Sequence, residues 1–410
     1  MNKKLITLAV SGAFGLPAAV LAQGTNVTIY GSLNVDFERV EAKDSASNGP
    51  EFDPRNRVSS NSSNIGFRGT EDLGNGLKAI FQCESFANID NGGAGLCTRN
   101  THVGLSGGWG TLFYGQWDTP YKFTTLVQDA FYSTGIAASA TVIGTPGFGV
   151  ATVTQSGTPG AVGTAANASF DVRRGDSVQY WSPNWAGFAF RLMYSANEGK
   201  SADPSGLPGN VELDPYTWGG AITYTNGALY INAAYERHID FFGLNQLAAF
   251  GVTAAGVSAA NDSSEDTGIK IGAGYRLGNT TLNVIWERLE YENDGGAAVN
   301  LEQYERDLIY VSLLHRIGNW TLRAYYAHAD DAECDLVGPG ACILEDETAA
   351  DAWAVGASYS LSKRTDLYAL FTRVDNDDRA SYTFGVNGLR PTGAFGFENN
   401  GVALGIRHTF

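Results

Sequence analysis

The segment GVALGIRHTF, residues 401–410, ends the chain and is the part of the sequence that best indicates its fold. Side chains of an extended strand point alternately to its two faces. Counted back from the end, alternate positions give a mainly apolar face: Phe410, His408, Ile406, Leu404 and Val402. The opposite face carries small or polar residues, including Arg407. This pattern is typical of a half-buried strand in a soluble sandwich and also of a strand that crosses a membrane.

The other end of the chain carries the pattern of a secretory signal peptide. Two lysines precede an apolar run over residues 5–21, and small residues lead to Ala22. We therefore predict a signal peptide over residues 1–22, cleaved after Ala22, and one mature domain over residues 23–410. The chain is expected to be exported.

Composition and hydropathy exclude several classes of protein. The chain has 43 acidic against 27 basic residues and a formal net charge of −16. A surface of this sign repels phosphates, so no nucleic-acid partner is predicted. Beyond the signal peptide, no stretch of about 18 apolar residues could form a transmembrane helix. A closed barrel needs only strands of about 9 to 11 residues that are apolar at alternate positions, and this possibility stays open.

Strand-like segments alternate with short turns and long polar loops along the whole mature chain. The short turns are rich in Gly, Asn and Ser. The long loops lie near residues 41–61, 88–99, 118–172, 197–215, 243–266, 292–305, 330–350 and 375–398. This strict alternation predicts an all-β, antiparallel transmembrane barrel of sixteen strands with both termini on the short-turn side. A repeat protein is the alternative, but the segments share no sequence period beyond the hairpin.

The four cysteines form two pairs that are close in sequence, Cys83 with Cys97 and Cys334 with Cys342. Exported proteins commonly oxidise such pairs, and each pair flanks loop sequence, so we predict two disulfides that close loops. Metal binding by the four cysteines is the alternative, although no CxxC motif or neighbouring histidine cluster supports it. No motif for a cofactor is found.

Several segments resemble the general diffusion porins of β-proteobacterial outer membranes. They are NVTIYGSLNVDF (26–37), NIGFRGTEDLGNGLKAIFQCES (64–85), VGLSGGWGTLFYGQ (103–116), SVQYWSPNWAGF (177–188) and the terminal Phe410. The resemblance implies a homotrimeric barrel in the outer membrane, in contact with its lipids and lipopolysaccharide. It also implies that the third long loop, residues 118–172, folds into the lumen as a constriction. Phe410 would be recognised by the outer-membrane assembly machinery.

The implied function is passive diffusion of small hydrophilic solutes and ions through a water-filled channel, with selection by charge on the constriction wall. In this family, wall arginines face acidic groups of the folded loop. Here Asn64, Gln116 and Gln179 stand where a positive charge is typical of the family. The other predicted lining residues are Arg68, Arg173 and Arg174 on the basic side, and Asp118 and Asp129 on the acidic side. The depleted basic wall and the acidic balance predict a selectivity that is weak or mildly cationic.

Other functions stay open at this point. A barrel enzyme of the protease or phospholipase type needs a histidine with an acidic partner or a serine nucleophile at the rim. His238 with Asp240 and His328 with Asp330 are the candidate pairs, and no G-x-S-x-G motif is present. An adhesin or structural barrel would have a plugged lumen, and acidic ends of the external loops could bind divalent cations.

A substrate-specific channel is a further alternative, because such channels need a track of aromatic or arginine side chains along the lumen. The third long loop contains suitable residues, which could instead pack the loop against the barrel wall: Trp117, Tyr121, Phe123, Phe131 and Tyr132.

Overall fold

The computed structural model describes residues 26–93, 95–132, 135–147, 168–196, 214–241, 263–294, 300–337, 345–391 and 394–410. The predicted signal peptide, residues 1–22, lies outside the described residues. Among the residues described, no helix is both long enough and apolar enough to cross a bilayer.

Sixteen antiparallel strands, counted over the described part of the chain, form one closed sheet. They are β1 Asn26–Lys43, β2 Phe52–Ser60 with Asn64–Gly74, β3 Leu77–Phe86, β4 Thr101–Gly107, β5 Gly110–Asp118, β6 Arg173–Trp181, β7 Phe188–Ser195, β8 Tyr216–Asn226, β9 Leu229–Ile239, β10 Ser263–Leu277, β11 Thr280–Asp294, β12 Asn300–Ile317, β13 Trp320–Ala329 with Glu333–Val337, β14 Ala350–Ser360, β15 Thr365–Asn376 and β16 Glu398–Thr409. Each strand pairs with the next, and β16 pairs with β1. Because the sheet closes on itself, each of these sixteen strands has a paired neighbour on both sides. The predicted fold class is confirmed.

Two strands are interrupted and reach further than predicted. In β2, the segment Asn64–Gly74 pairs with the start of β1, and Phe52–Ser60 pairs with its end. In β13, both segments pair with β12. The segments Phe52–Ser60 and Glu333–Val337 fall inside regions predicted as long loops, so those loops are shorter than predicted. Phe52–Ser60 is largely polar and lacks the alternating apolar face by which a strand is recognised in sequence. Glu333–Val337 is only 5 residues long and lies among acidic loop residues.

The apolar faces of the strands point outward. On β1, Val27 is 58% exposed whereas Glu38 is completely buried. On β16, Leu404 is 60% exposed, and Ala403 beside it is buried. A soluble sandwich would bury the apolar face, whereas a barrel in a membrane turns that face toward lipid. The alternation in the terminal strand therefore belongs to a membrane barrel.

Seven short turns, at the end of the barrel where the chain ends, connect strands in pairs. The turn between β2 and β3 shows why its sequence is Asn-Gly. Asn75 has a φ of 53° and Gly76 a φ of 78°. Positive φ at both central positions is required by the tight hairpin turn that matches the twist of the strands, and Asn and Gly adopt it most easily.

Two of the longer connections fold into the barrel. The connection after β5 begins with helix α1, Pro120–Gln128, whose first turn is capped by the Thr119 side chain accepting from the N–H of Lys122 at 3.1 Å. The connection after β15, residues 377–397, packs against it, and the N–H of Gly385 donates to Oγ1 of Thr141 at 3.0 Å. Apolar side chains of both connections and of the inner wall from β11 to β16 and β1 form a core inside the barrel, including Ile136, Val142, Ile143, Phe384 and Leu389.

Candidate functional site

The connection after β5 is fixed to the inner wall by a buried carboxylate and a buried guanidinium. Glu287 on β11 accepts from the hydroxyl of Tyr121 at 2.8 Å and from the N–H of Gly144 at 2.8 Å. Arg306 on β12 donates to the same carboxylate at 3.3 Å and to the carbonyl of Val142 at 3.1 Å. Burial raises the pKa of the Tyr121 phenol, which keeps the hydroxyl protonated as a donor. These contacts hold the loop by charge and by hydrogen bonds.

Gln128, the last residue of α1, is hydrogen-bonded to the barrel wall through both its side chain and its main chain. Its side-chain amide donates to the carbonyl of Ala273 at 2.9 Å and accepts from Asn232 at 2.6 Å. Its main-chain carbonyl accepts from the hydroxyl of Ser312 at 2.8 Å. Two residues further on, Arg323 donates to the carbonyl of Ala130 at 2.5 Å. The loop is therefore bonded to strands β9 to β13.

Asp118 and Arg173, predicted to line the pore, form a buried ion pair where the loop leaves and re-enters the wall. Their oxygen and nitrogen atoms are 3.2 Å apart. Asn100 bridges them, donating to Asp118 at 2.6 Å and accepting from Arg173 at 2.8 Å. Lys122 lies 3.6 Å from Asp171, and burial raises the pKa of the Asp171 carboxyl. The network ties both ends of the loop to the preceding connection, residues 87–100.

Arg174 lies beside His238 in a second buried cluster. Arg174 is 3.0 Å from Nε2 of His238, which is also 3.0 Å from Glu236. The ring of Phe170 stacks on the imidazole with 4.2 Å between centroids. His238 is completely buried, so this candidate of the enzyme alternative is enclosed by the loop. His328, the other candidate, contacts Asp330 and Asp351 at 3.2 and 2.9 Å on the outward face of the barrel.

Three amide residues stand at positions where the family typically has arginine, and each lies in different surroundings. They are Asn64, Gln116 and Gln179. Asn64 faces inward, and its side chain donates to the carbonyl of Ser62 at 3.2 Å. Gln179 is buried and donates to the carbonyl of Asp118 at 3.2 Å. Gln116 donates to the carbonyl of Arg99 at 3.2 Å, because an irregularity in the pairing of β5 with β6 lies at this position.

Asp129 directly follows the last residue of α1, and its side chain bonds to the backbone of the same loop. Its carboxylate accepts from the N–H of Phe131 at 2.5 Å and from the N–H of Ser139 at 2.6 Å. This carboxylate thus shapes the loop.

Three inward-facing arginines contact aromatic rings. Arg68 lies 4.9 Å from the ring centre of Tyr30, and Arg407 lies 4.2 Å from that of Tyr132. Arg191 lies 3.3 Å from the ring centre of Phe123 and 4.0 Å from that of Trp181. Among the described residues, none of the three guanidinium groups has a carboxylate within ion-pair distance.

Only Arg68 of these three was predicted from the sequence. Five basic residues of the inner wall were missed: Arg191, Lys270, Arg306, Arg323 and Arg407. The signal that could have found four of them is alternation, because each follows or precedes an outward apolar residue such as Leu192, Ile269 or Ile406. Arg306 lies between Glu305 and Asp307 and gives no such signal. Comparison with the family motifs alone does not identify these five residues.

The predicted disulfide between Cys83 and Cys97 is confirmed, and it fastens the connection 87–100 to β3. Cys334 is also disulfide-bonded. Its predicted partner Cys342 lies outside the described residues, so that pairing stays a prediction.

Acidic side chains of the external rim are the predicted candidates for a cation site. Arg288 pairs with Asp307 at 2.6 Å and with Glu305 at 2.9 Å. Within the described ranges, no group of three or more His, Cys, Asp or Glu side chains is arranged to hold a metal ion.

Comparisons with known proteins agree with this architecture. The chain is 28% identical to outer membrane porin protein 32 of Delftia acidovorans over 413 residues, covering all of both chains. It is 26% identical to the major outer membrane protein P.IB of Neisseria gonorrhoeae, covering 89% of this chain and 91% of that protein. Both relatives are outer-membrane proteins by name.

Solved structures share the fold. An anion-selective porin from Comamonas acidovorans matches with a TM-score of 0.68 and 23% identity, covering 94% of this chain and all of that one. OmpT of Vibrio cholerae in its trimer form matches with a TM-score of 0.61 and 17% identity, covering 95% of this chain and all of that one. The family model described as Gram-negative porin matches residues 7–379. The chain therefore belongs to the Gram-negative porin family and is a channel of the outer membrane.

Proposed function

We propose that the channel passes small hydrophilic solutes by passive diffusion and prefers anions. The observation that carries this proposal is the set of inward guanidinium groups without a carboxylate partner among the described residues, on Arg68, Arg191 and Arg407. Fixed positive charges on a pore wall raise the local concentration of anions.

Some inward carboxylates contribute less because basic partners neutralise them. Glu84 pairs with Arg99 at 2.7 Å, and Glu287 pairs with Arg306 at 3.3 Å. The weak or mildly cationic selectivity predicted from the net charge and the depleted basic wall is not confirmed. Much of the acidic charge lies on the rim or in such pairs. The anion-selective porin of Comamonas acidovorans supports the same sign by analogy.

The loop predicted over residues 118–172 would act as the constriction, as proposed from the sequence. In support, α1 packs on strands β7 to β10, residues 135–147 bond to β11 and β12, and the connection 377–397 lies against them. The water path would then run beside the loop along the wall that carries Arg68 and Arg191, where Arg191 contacts Phe123 of α1.

The proposal extends to the partners. The channel would be a homotrimer, folded by the outer-membrane assembly machinery and embedded among lipids and lipopolysaccharide. The exposed apolar residues of the outward face support contact with lipid, for example Ile271 and Leu322. No enzymatic activity is proposed, because His238 is enclosed and His328 faces away from the lumen.

Reversal potentials in planar bilayers under a KCl gradient test the anion preference. The wild-type channel should prefer chloride, and Arg68→Gln and Arg191→Gln together should lower that preference. Arg288→Gln removes a positive charge from the outward face and should leave it unchanged. The differences should shrink at high salt, where the screening length falls to about 3 Å. Cation preference in the wild-type channel would refute the proposal.

A further inference from the structure

We propose that the inner wall beside Arg191 is a binding site for aromatic carboxylates, so that the channel favours such solutes over other anions. This inference rests on the proposed anion-preferring channel and deepens it by naming a class of solute. The site consists of Arg191 and an aromatic cluster, which we define as His102, Phe113, Trp117 and Trp181.

The aromatic cluster is continuous across three neighbouring strands. The rings of Phe113 and Trp117 are 5.4 Å apart, and those of Trp117 and Trp181 are 5.6 Å apart. The imidazole of His102 lies 4.8 Å from Trp117. Several of these pairs are edge-on, which leaves ring faces available for a further aromatic group.

The cluster is not closed off in the way a structural core is. Phe113 is buried, but Trp117 and Trp181 are only partly buried although they lie on the inner side of the wall. By contrast, Tyr121 and Phe131, which lie in the connection after β5, are buried against the wall. Partly covered indole rings on a water-facing surface gain free energy when an apolar group removes them from water.

Arg191 supplies the charge at the edge of the cluster. It is paired with Trp181 in the strand register and faces inward, because its neighbour Leu192 is 53% exposed on the outer face. Its guanidinium lies over the rings of Phe123 and Trp181. Within the described residues, its N–H donors have neither a hydrogen-bond acceptor nor an ion-pair partner.

These two features together select one class of solute. A guanidinium presents donors in a planar fork that matches a carboxylate. An aromatic ring joined to that carboxylate would reach the indoles of Trp117 and Trp181. An aliphatic acid lacks the ring, and an aromatic alcohol lacks the charge, so each uses only half of the site.

The probe is benzoate, tested by its block of single-channel chloride current in the full-length channel. Benzoate should block at concentrations about tenfold below acetate, and benzyl alcohol should not block in that range. This comparison uses the wild-type channel and does not depend on any variant folding. Equal block by benzoate and acetate would overturn the proposal while leaving general anion preference intact.

Variants then locate the site. Arg191→Gln should weaken the benzoate block by about tenfold or more, as expected for loss of a hydrogen-bonded charge, and Trp181→Leu should weaken it without changing the preference for chloride over potassium. Arg407→Gln is the matched control across the barrel, since Tyr132, its one aromatic contact among the described residues, is already shared with Arg323. It should lower chloride preference but change the benzoate block less than twofold. An unchanged block in Arg191→Gln would overturn the assignment.

Discussion

The attachment of the folded loop can be weakened at one carboxylate without changing the pairing of the barrel strands. Glu287→Gln keeps the shape of the side chain but removes the only carboxylate within ion-pair distance of Arg306 among the described residues. The carboxylate of Glu287 accepts from the hydroxyl of Tyr121 and from the N–H of Gly144, which both belong to the loop, and a hydrogen bond to a charged group contributes about 1.5 to 3 kcal/mol. Loss of that contribution would shift the balance between attached and detached loop roughly 10- to 150-fold. The strand pairing of β11 with its neighbours stays intact, so the cost should fall on the loop.

Liposome swelling with sugars of increasing size measures the result. The Glu287→Gln channel should admit larger sugars and show noisier single-channel currents than the wild-type channel, while still forming heat-resistant oligomers. Glu305→Gln is the matched control, because the same exchange affects a partly exposed pair with Arg288, worth roughly 0 to 1 kcal/mol. A Glu287→Gln channel with the wild-type size limit and noise would refute the reasoning.

Three further predictions concern the barrel and its fastenings. Replacing Cys83 and Cys97 by serine should cost about 3 kcal/mol in the unfolding free energy of the closed loop, seen as faster proteolysis of residues 87–100 with conductance retained. Deleting Phe410 removes the hydrogen bonds of 3.1 and 3.2 Å that join it to Gly31, so oligomer yield should fall while the selectivity of assembled channels stays unchanged; altered selectivity would contradict this. Tyr368→Phe removes a hydroxyl 2.9 Å from the side chains of Asn34 and Asp36; it should cost about 1 to 2 kcal/mol and lower the melting temperature, and an unchanged melting temperature would contradict this.

The barrel could be predicted because its physical cause repeats along the chain. Lipid on one side and water on the other impose a period of two on every strand, as in Val402, Leu404 and Ile406. The short turns carry residues that adopt positive φ, such as Asn75 and Gly76. Both signals are local in sequence. They disappear where a strand extends beyond the apolar belt, which is why Phe52–Ser60 was expected to be loop.

The interior could be predicted only in part, because it depends on contacts between distant segments. Family motifs indicated that the loop after β5 folds inward, but no local pattern shows that Asp118 and Arg173 bond to each other through Asn100. Burial of Arg174 beside His238 likewise depends on which wall the loop meets. The inward connection 377–397 was not predicted, because its composition resembles that of an external loop.

The core inside the barrel has a consequence for the order of assembly. Thr141 and Gly385, which hydrogen-bond inside the lumen, are separated by 244 residues. Ordering so long a span costs chain entropy that only later contacts repay, and contacts of this kind slow folding. The interior of the channel therefore reaches its final form only when the last hairpin arrives and β16 meets β1. A nascent barrel that lacks its last two strands would have the folded loop after β5 without the connection 377–397 that packs against it, so the core inside the barrel and the sealed wall are completed in the same step.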